Sequence, residues 1–163
     1  SSTVRGRIGI IVTAIGEDRL TLLEILGLEN STFDVGERIY IGKEGRTKVQ
    51  SVLGKIDYAK ISDSAQSEIP GVVESIIIKN EKRFVDYLNN AQSLTPRIHA
   101  LELIPGIGKT YMHVIIQERE KKPFESFSDI ENRTGLKEPM RHISKRILEE
   151  ISGETRMNLF VKR

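Results

Sequence analysis

Between Pro105 and Thr110 the chain reads Pro-Gly-Ile-Gly-Lys-Thr, and these residue types at this spacing can hold a phosphate. Gly106 and Gly108 take positive φ at little steric cost and let the backbone come close to a partner. The amphipathic run from Tyr111 to Glu120 predicts a helix that starts at once behind them. Its first N–H groups lack intrahelical acceptors, and its positive dipole end points the same way. Lys109 adds a full charge and Thr110 a hydroxyl beside those amides. One phosphate is the ligand such a turn can take.

Two other phosphate loops are excluded by the same residues. A P-loop needs glycine five residues before its Gly-Lys-Thr, and Leu103 stands there. A dinucleotide-binding turn needs a third glycine where Tyr111 stands, and a strand in front of it. What remains resembles the helix-hairpin-helix motif of DNA- and RNA-handling proteins: an apolar residue, Pro-Gly-Ile-Gly, then a helix with an apolar inner side. Met112, Ile115 and Ile116 supply that side, Met112 standing where the family usually has alanine. The plain alternative is a helical hairpin whose glycines only make the turn.

A second copy follows. Thr134-Gly135-Leu136-Lys137 reads as another turn, and Pro139 opens a helix with Ile143, Ile147, Leu148 and Ile151 on one face. Gly135 matches Gly106 and Leu136 matches Ile107, while Lys137 replaces the second glycine and Glu138 falls where Lys109 stood. A carboxylate there repels phosphate, so Lys137 is the weaker contact and this copy is expected to be mainly structural. Phe124 and Phe127 read as core anchors, and Ser128-Asp129-Ile130-Glu131 as a capping box. The resemblance is to a tandem helix-hairpin-helix domain.

The elements in front of the hairpins change character along the chain. Ile8, Ile10, Val12 and Ala14 alternate with other residues, a second apolar run spans 21–26, Ile39 and Ile41 alternate with Arg38 and Tyr40, and a fourth strand is expected over 48–58 with a bulge near Gly54. Short strands with glycine at the turns predict a small barrel over residues 1–66, OB-like or SH3-like. Opposite Ile39 and Ile41, the face with Arg38, Tyr40, Lys43, Arg46 and Lys48 could stack and hold a single nucleic-acid strand; the bland alternative is a solvated strand face. Residues 61–68 read as a polar link, with helix beginning near Pro70. In 67–94, a helical connector, Val73, Ile76, Ile77, Phe84, Leu88 and Ala91 recur at helical spacing, with Asn80 on the same face, so the connector divides naturally into two helices. Thr95-Pro96 is expected to open the first hairpin helix over 96–103, and 95–163 form the helical domain. Residues 154–163 are expected to return to the barrel as a short strand. The fold class is thus α+β.

Composition narrows the function classes. With 163 residues and a formal charge of +2, no strong field advertises a nucleic-acid partner. Residues 101–163 hold 12 Lys/Arg against 10 Asp/Glu, so the small excess lies with the hairpins. The absence of cysteine excludes disulfides and zinc–thiolate sites. No apolar run spans a membrane and no leader pattern opens the chain, so a soluble cytoplasmic protein is expected. The first residue is serine, which leaves room for native sequence upstream.

No catalytic constellation stands out. Some base-excision glycosylases carry such a hairpin, with a catalytic lysine just after it and an aspartate further along. Their lysine falls where Thr110 stands, the glycine-rich loop that carries their aspartate is absent, and Asp129 reads as a first-turn helix residue. His99, His113 and His142 lie apart on expected helices and suggest no metal site. No cofactor is expected and the chain is read as non-enzymatic.

The combination of small barrel, helical connector and paired hairpins resembles an uncharacterised archaeal family, catalogued as a domain of unknown function and predicted to bind nucleic acid. The resemblance covers the whole chain, although its one specific motif is Pro105–Lys109. It implies a nucleic-acid-binding protein, with RNA favoured over DNA, acting in translation or RNA processing. A protein-interaction adaptor in such a complex is the alternative.

Overall fold

The alternation that begins at Ile8 forms a strand in the computed structural model, which describes residues 2–163. The sheet contains β1 (Ser2–Val4), β2 (Arg7–Ile15), β3 (Leu22–Gly27) and β4 (Val49–Lys55), joined as an antiparallel meander in the order β1-β2-β3-β4. Strand β1 was not legible as a strand. It is folded back by Arg5 and Gly6, both at positive φ, which is the two-residue turn that matches the twist of a hairpin. The bulge expected near Gly54 is present, since the register shifts where Glu24 and Ile25 meet β4.

The barrel is corrected. The sheet is open, with β1 and β4 at its two edges, and the strand expected over 37–41 does not form. Burial still alternates there, Ile39 and Ile41 half-buried against exposed Arg38 and Tyr40. Period two therefore reports which side chains turn inward, whereas a ladder also needs a neighbouring strand to pair with. The 28–48 connection is held by side chains instead. The Arg46 guanidinium donates to the carbonyls of Ile41, Gly42 and Gln50 at 3.1, 3.0 and 2.8 Å.

Five helices follow: α1 (Asp63–Lys79), α2 (Glu81–Asn90), α3 (Gly108–Lys121), α4 (Phe127–Thr134) and α5 (Pro139–Ile151). Helix α1 starts seven residues before Pro70, because Ser62 caps it, accepting from the Ala65 amide at 3.2 Å. The 61–68 stretch is thus mostly helix and not a polar link. Helix α1 ends at Asn80, whose side-chain amide donates to the Ile76 carbonyl at 2.8 Å and interrupts the continuation into α2. All six apolar residues expected on this face are buried.

The chain divides into two compact units, one comprising the residues up to Val72 with Glu150–Arg163, the other Val73–Glu149. The segments drawn from sequence, 1–66, 67–94 and 95–163, do not coincide with them. The C-terminal tail belongs to the sheet unit as extended chain without a strand, and the Lys162 amide donates to the Arg19 carbonyl at 2.9 Å. In the helical unit α3 packs against α2, α4 and a turn of 3₁₀ helix at Ala100–Leu103. That single turn is all that forms of the helix expected over 96–103. The Thr95 hydroxyl accepts from the Arg97 and Ile98 amides and closes a loop there, so the residues capped by Thr95 never propagate.

Candidate nucleic-acid interface

The first turn is set by what its neighbours bury. Leu101 and Ile104 in front of it and Ile107 within it are at most 1 % exposed, so the apolar positions anchor the turn. Gly106, Gly108, Lys109 and Thr110 are exposed between them. Gly106 and Gly108 both adopt positive φ, at 87° and 49°. Helix α3 then begins with Ile107 at its N-cap and no side chain accepting from its first amides. By contrast, α4 is capped by Ser126, whose hydroxyl accepts from the Asp129 amide at 3.0 Å. The Lys109 ammonium has no hydrogen-bond or ion-pair partner among the described residues. An uncapped helix start, an open glycine and an unpaired ammonium therefore come together. Met112 and Ile115 are buried behind them and Ile116 is half-buried. Ile107 can offer only its backbone to a ligand.

The two glycines have different jobs. A Cβ on Gly108 would meet nothing within 4 Å, whereas one on Gly106 would lie 2.3 Å from Nδ1 of His142. The close approach that Gly106 permits is therefore to the protein's own second hairpin. Sequence reasoning set His142 aside as a metal ligand and did not join it to Gly106, because nothing local links the two. In the structure its ring nitrogens face the carbonyls of Pro105 at 3.0 Å and Lys137 at 3.1 Å.

The second turn corrects the residue matching. Glu138 has φ 48°, nearly that of Gly108, so Glu138 and not Lys137 stands in place of the second glycine, and Lys137 is an added residue. The Glu138 amide already receives a carboxylate, Oε2 of Glu131 at 3.3 Å, and the Glu138 side chain pairs with Arg141 at 3.2 Å. This turn supplies its own anion. Lys137 is exposed, but the backbone beside it is taken.

Asp129 stands in the first turn of α4. Its carboxylate accepts from the Glu125 amide at 3.0 Å and from Arg133 at 3.1 Å, and these bonds, the backbone one foremost, hold its carboxyl below the ordinary aspartate value. The cap residue is Ser126, two positions ahead of the Ser128 expected to open the box. Phe124 is buried as expected, but Phe127 is only half-buried. His99 accepts from the Leu101 amide at 3.0 Å, and burial is the main cause that lowers its pKa. His113 is exposed.

The basic residues of the 38–48 segment are largely committed to local structure. Arg38 pairs through its guanidinium with Glu17, a contact that raises its own pKa. Lys48 donates to Glu37 and to the Thr32 carbonyl and lies 5.3 Å from the centre of the Phe33 ring; its hydrogen bond holds the Glu37 carboxyl below the ordinary value. Arg46 is half-buried on three carbonyls. Lys43 is exposed and has no such partner among the described residues. Tyr40 is 62 % exposed, and its ring lies beside Gly42 and Gly45. If a base stacks there, Tyr40→Ala weakens single-strand binding by about 1–3 kcal/mol. Titration of a fluorescent oligonucleotide reads this, and unchanged affinity would remove Tyr40 from the interface.

A family model described as a protein of unknown function, DUF655, matches residues 4–162. The uncharacterized protein MJ0038 of Methanocaldococcus jannaschii is 44 % identical over 154 residues, which cover 93 % of this chain and 70 % of that protein. The crystal structure of Af1531 from Archaeoglobus fulgidus is similar with a TM-score of 0.84 and 40 % identity, over 93 % of this chain and 85 % of that one.

Proposed function

The chain belongs to the DUF655 family of proteins of unknown function, and from that premise we propose that it is a non-catalytic nucleic-acid-binding protein. It grips one backbone phosphate at the first turn, and the region from Ala100 to Ile151 works as a pair of helix-hairpin-helix units with unequal turns. The observation that carries this reading is the uncapped start of α3, where exposed amides, open Gly108 and unpaired Lys109 share one surface. Anions are stabilised at such a terminus by the amides and the dipole together. The second turn, filled by the Glu131 carboxylate, is mainly structural. Single-strand contact at Tyr40 and Lys43 is the accessory part of the proposal, with Arg38, Arg46 and Lys48 shaping that segment.

A phosphate contact reads the backbone and not the bases, so its loss is felt alike on every sequence. Lys109→Ala is expected to weaken binding about equally for RNA and DNA probes and to reduce the salt slope by about one unit. Gly108→Val should weaken it further, since a β-branched side chain at this φ strains the turn and blocks the approach. Lys137→Ala should change less. Titrations of folded variants at several salt concentrations, with single-stranded RNA, single-stranded DNA and duplex, provide the measurement and rank the nucleic acids. If Lys109→Ala leaves affinity and slope at the parent values, the turn is structural and an adaptor that docks proteins becomes the better reading. The formal charge of only +2 is the observation that keeps this second reading in view.

A further inference from the structure

His142 sits where the two hairpin turns come within reach of a single side chain. Its Nδ1 lies 3.0 Å from the Pro105 carbonyl of the first turn and its Nε2 3.1 Å from the Lys137 carbonyl of the second. A carbonyl oxygen can only accept. A neutral imidazole carries one N–H, so it satisfies one of the two turns, and only the imidazolium donates to both. Gly106 leaves the space into which the ring fits.

The charges around the ring decide when that form is favoured. Lys109 follows the first turn, Lys137 and Glu138 belong to the second with the Glu131 carboxylate on the Glu138 amide, and Arg141, Lys145, Arg146, Glu149 and Glu150 share the ring's own helix. The Glu138 carboxylate is engaged by Arg141, and the Arg146 guanidinium donates to the Leu103 carbonyl at 3.3 Å. Among the described residues no carboxylate pairs with the ring. A phosphate held at the first turn brings negative charge toward this ring, which favours the form that donates to both carbonyls. We propose that the His142 imidazolium clasps the two turns together, and that anion binding at the first turn is thereby linked to uptake of a proton on this ring. The linkage rests on the phosphate reading of that turn, whereas the clasp itself does not.

The sign follows from reciprocity: a ligand that favours the protonated ring is bound more tightly where the ring is protonated. Binding therefore strengthens as pH falls through the histidine range, and phosphate binding takes up a proton from solution. His142 acts here as a positioning residue, through the turn and not by touching the phosphate.

Two arms test this separately. In the free protein with ¹⁵N-labelled histidine, lowering the pH should protonate both ring nitrogens of His142 and slow amide exchange at Gly106 and Ile107, after correction for the intrinsic rate. His142→Asn can keep the bond to Pro105 and His142→Gln the bond to Lys137, so both variants should fold but show no such coupling. Equal pH dependence of turn protection in parent and variants overturns the clasp, whether or not nucleic acid binds. In the second arm, a single-stranded RNA oligonucleotide should bind the parent roughly fivefold more tightly at about pH 6 than at about pH 8. That ratio should collapse in both His142 variants and persist in His113→Gln. A parent ratio of one, or a ratio retained in the His142 variants, overturns the linkage. If the clasp coupling is seen but Lys109→Ala binds as the parent does, the phosphate reading fails and the clasp stands.

Discussion

Gly106→Ala is expected to destabilise the protein by about 2–3 kcal/mol, although position 106 is exposed and most exposed substitutions are nearly neutral. Two terms add. A Cβ at φ 87° costs roughly 1–2 kcal/mol in backbone strain. The methyl would also stand 2.3 Å from Nδ1 of His142, so the ring must leave, and the bond to Pro105 is worth about 1 kcal/mol. Gly108→Ala is the control. Its φ is 49° and the space beside it is empty, so only the backbone term remains and the loss should be about 1–2 kcal/mol. Urea unfolding, followed by probes in each of the two units because one transition need not describe both, gives the two values. Equal losses for the pair would show that His142 yields without cost and that the ring contact contributes nothing.

Glu150→Ala should cost more, about 3–5 kcal/mol. Glu150 is 0 % exposed, and its carboxylate accepts from the amides of Leu159, Phe160 and Val161 at 2.8, 3.0 and 2.8 Å. Three N–H groups on one carboxylate are a charge-assisted anchor. Alanine leaves those amides without it in a region where Phe160 and Val161 are buried. Glu150→Gln keeps the shape and one accepting oxygen, so it should lose part of this stability, and the order parent, Gln, Ala is the expectation. Amide exchange at residues 159–161 should accelerate in step with the loss of stability. An alanine variant with parental stability and slow exchange there would mean that the tail is held by its apolar side chains alone.

The same residues show why the sequence was legible in some places and closed in others. Helical spacing of Val73, Ile76, Ile77, Phe84, Leu88 and Ala91 identified a buried face correctly, and alternation over Ile10, Val12 and Ala14 a half-buried one with Ile8 itself exposed, because those periods are imposed by the local backbone. The glycine turn at 106–108, the helix behind it and the break at Asn80 were readable for the same reason: φ preference and capping act within a few residues. The position of a cap was less secure. Ser126 and Ser128 offer the same chemistry, and packing of Phe124 and Ile130 decides the frame.

Everything that depends on a distant partner needed the tertiary structure. The 37–41 segment has the alternation of a strand, yet no strand pairs with it, and the sheet stays open. Arg38 looked available until Glu17, 21 positions away, engaged it, and Lys48 until Glu37, 11 positions away, did the same. Glu138 at positive φ, beside the Glu131 carboxylate, turned the second hairpin from a weakened copy into a self-filled one. Gly106 and His142 lie 36 positions apart in the chain, with no local rule connecting them. Residue types and spacing determined that this chain carries paired turns at helix starts. The tertiary structure decided which charges are already spent, because a hydrogen bond or ion pair depends on separation in space, and sequence distance does not bound it.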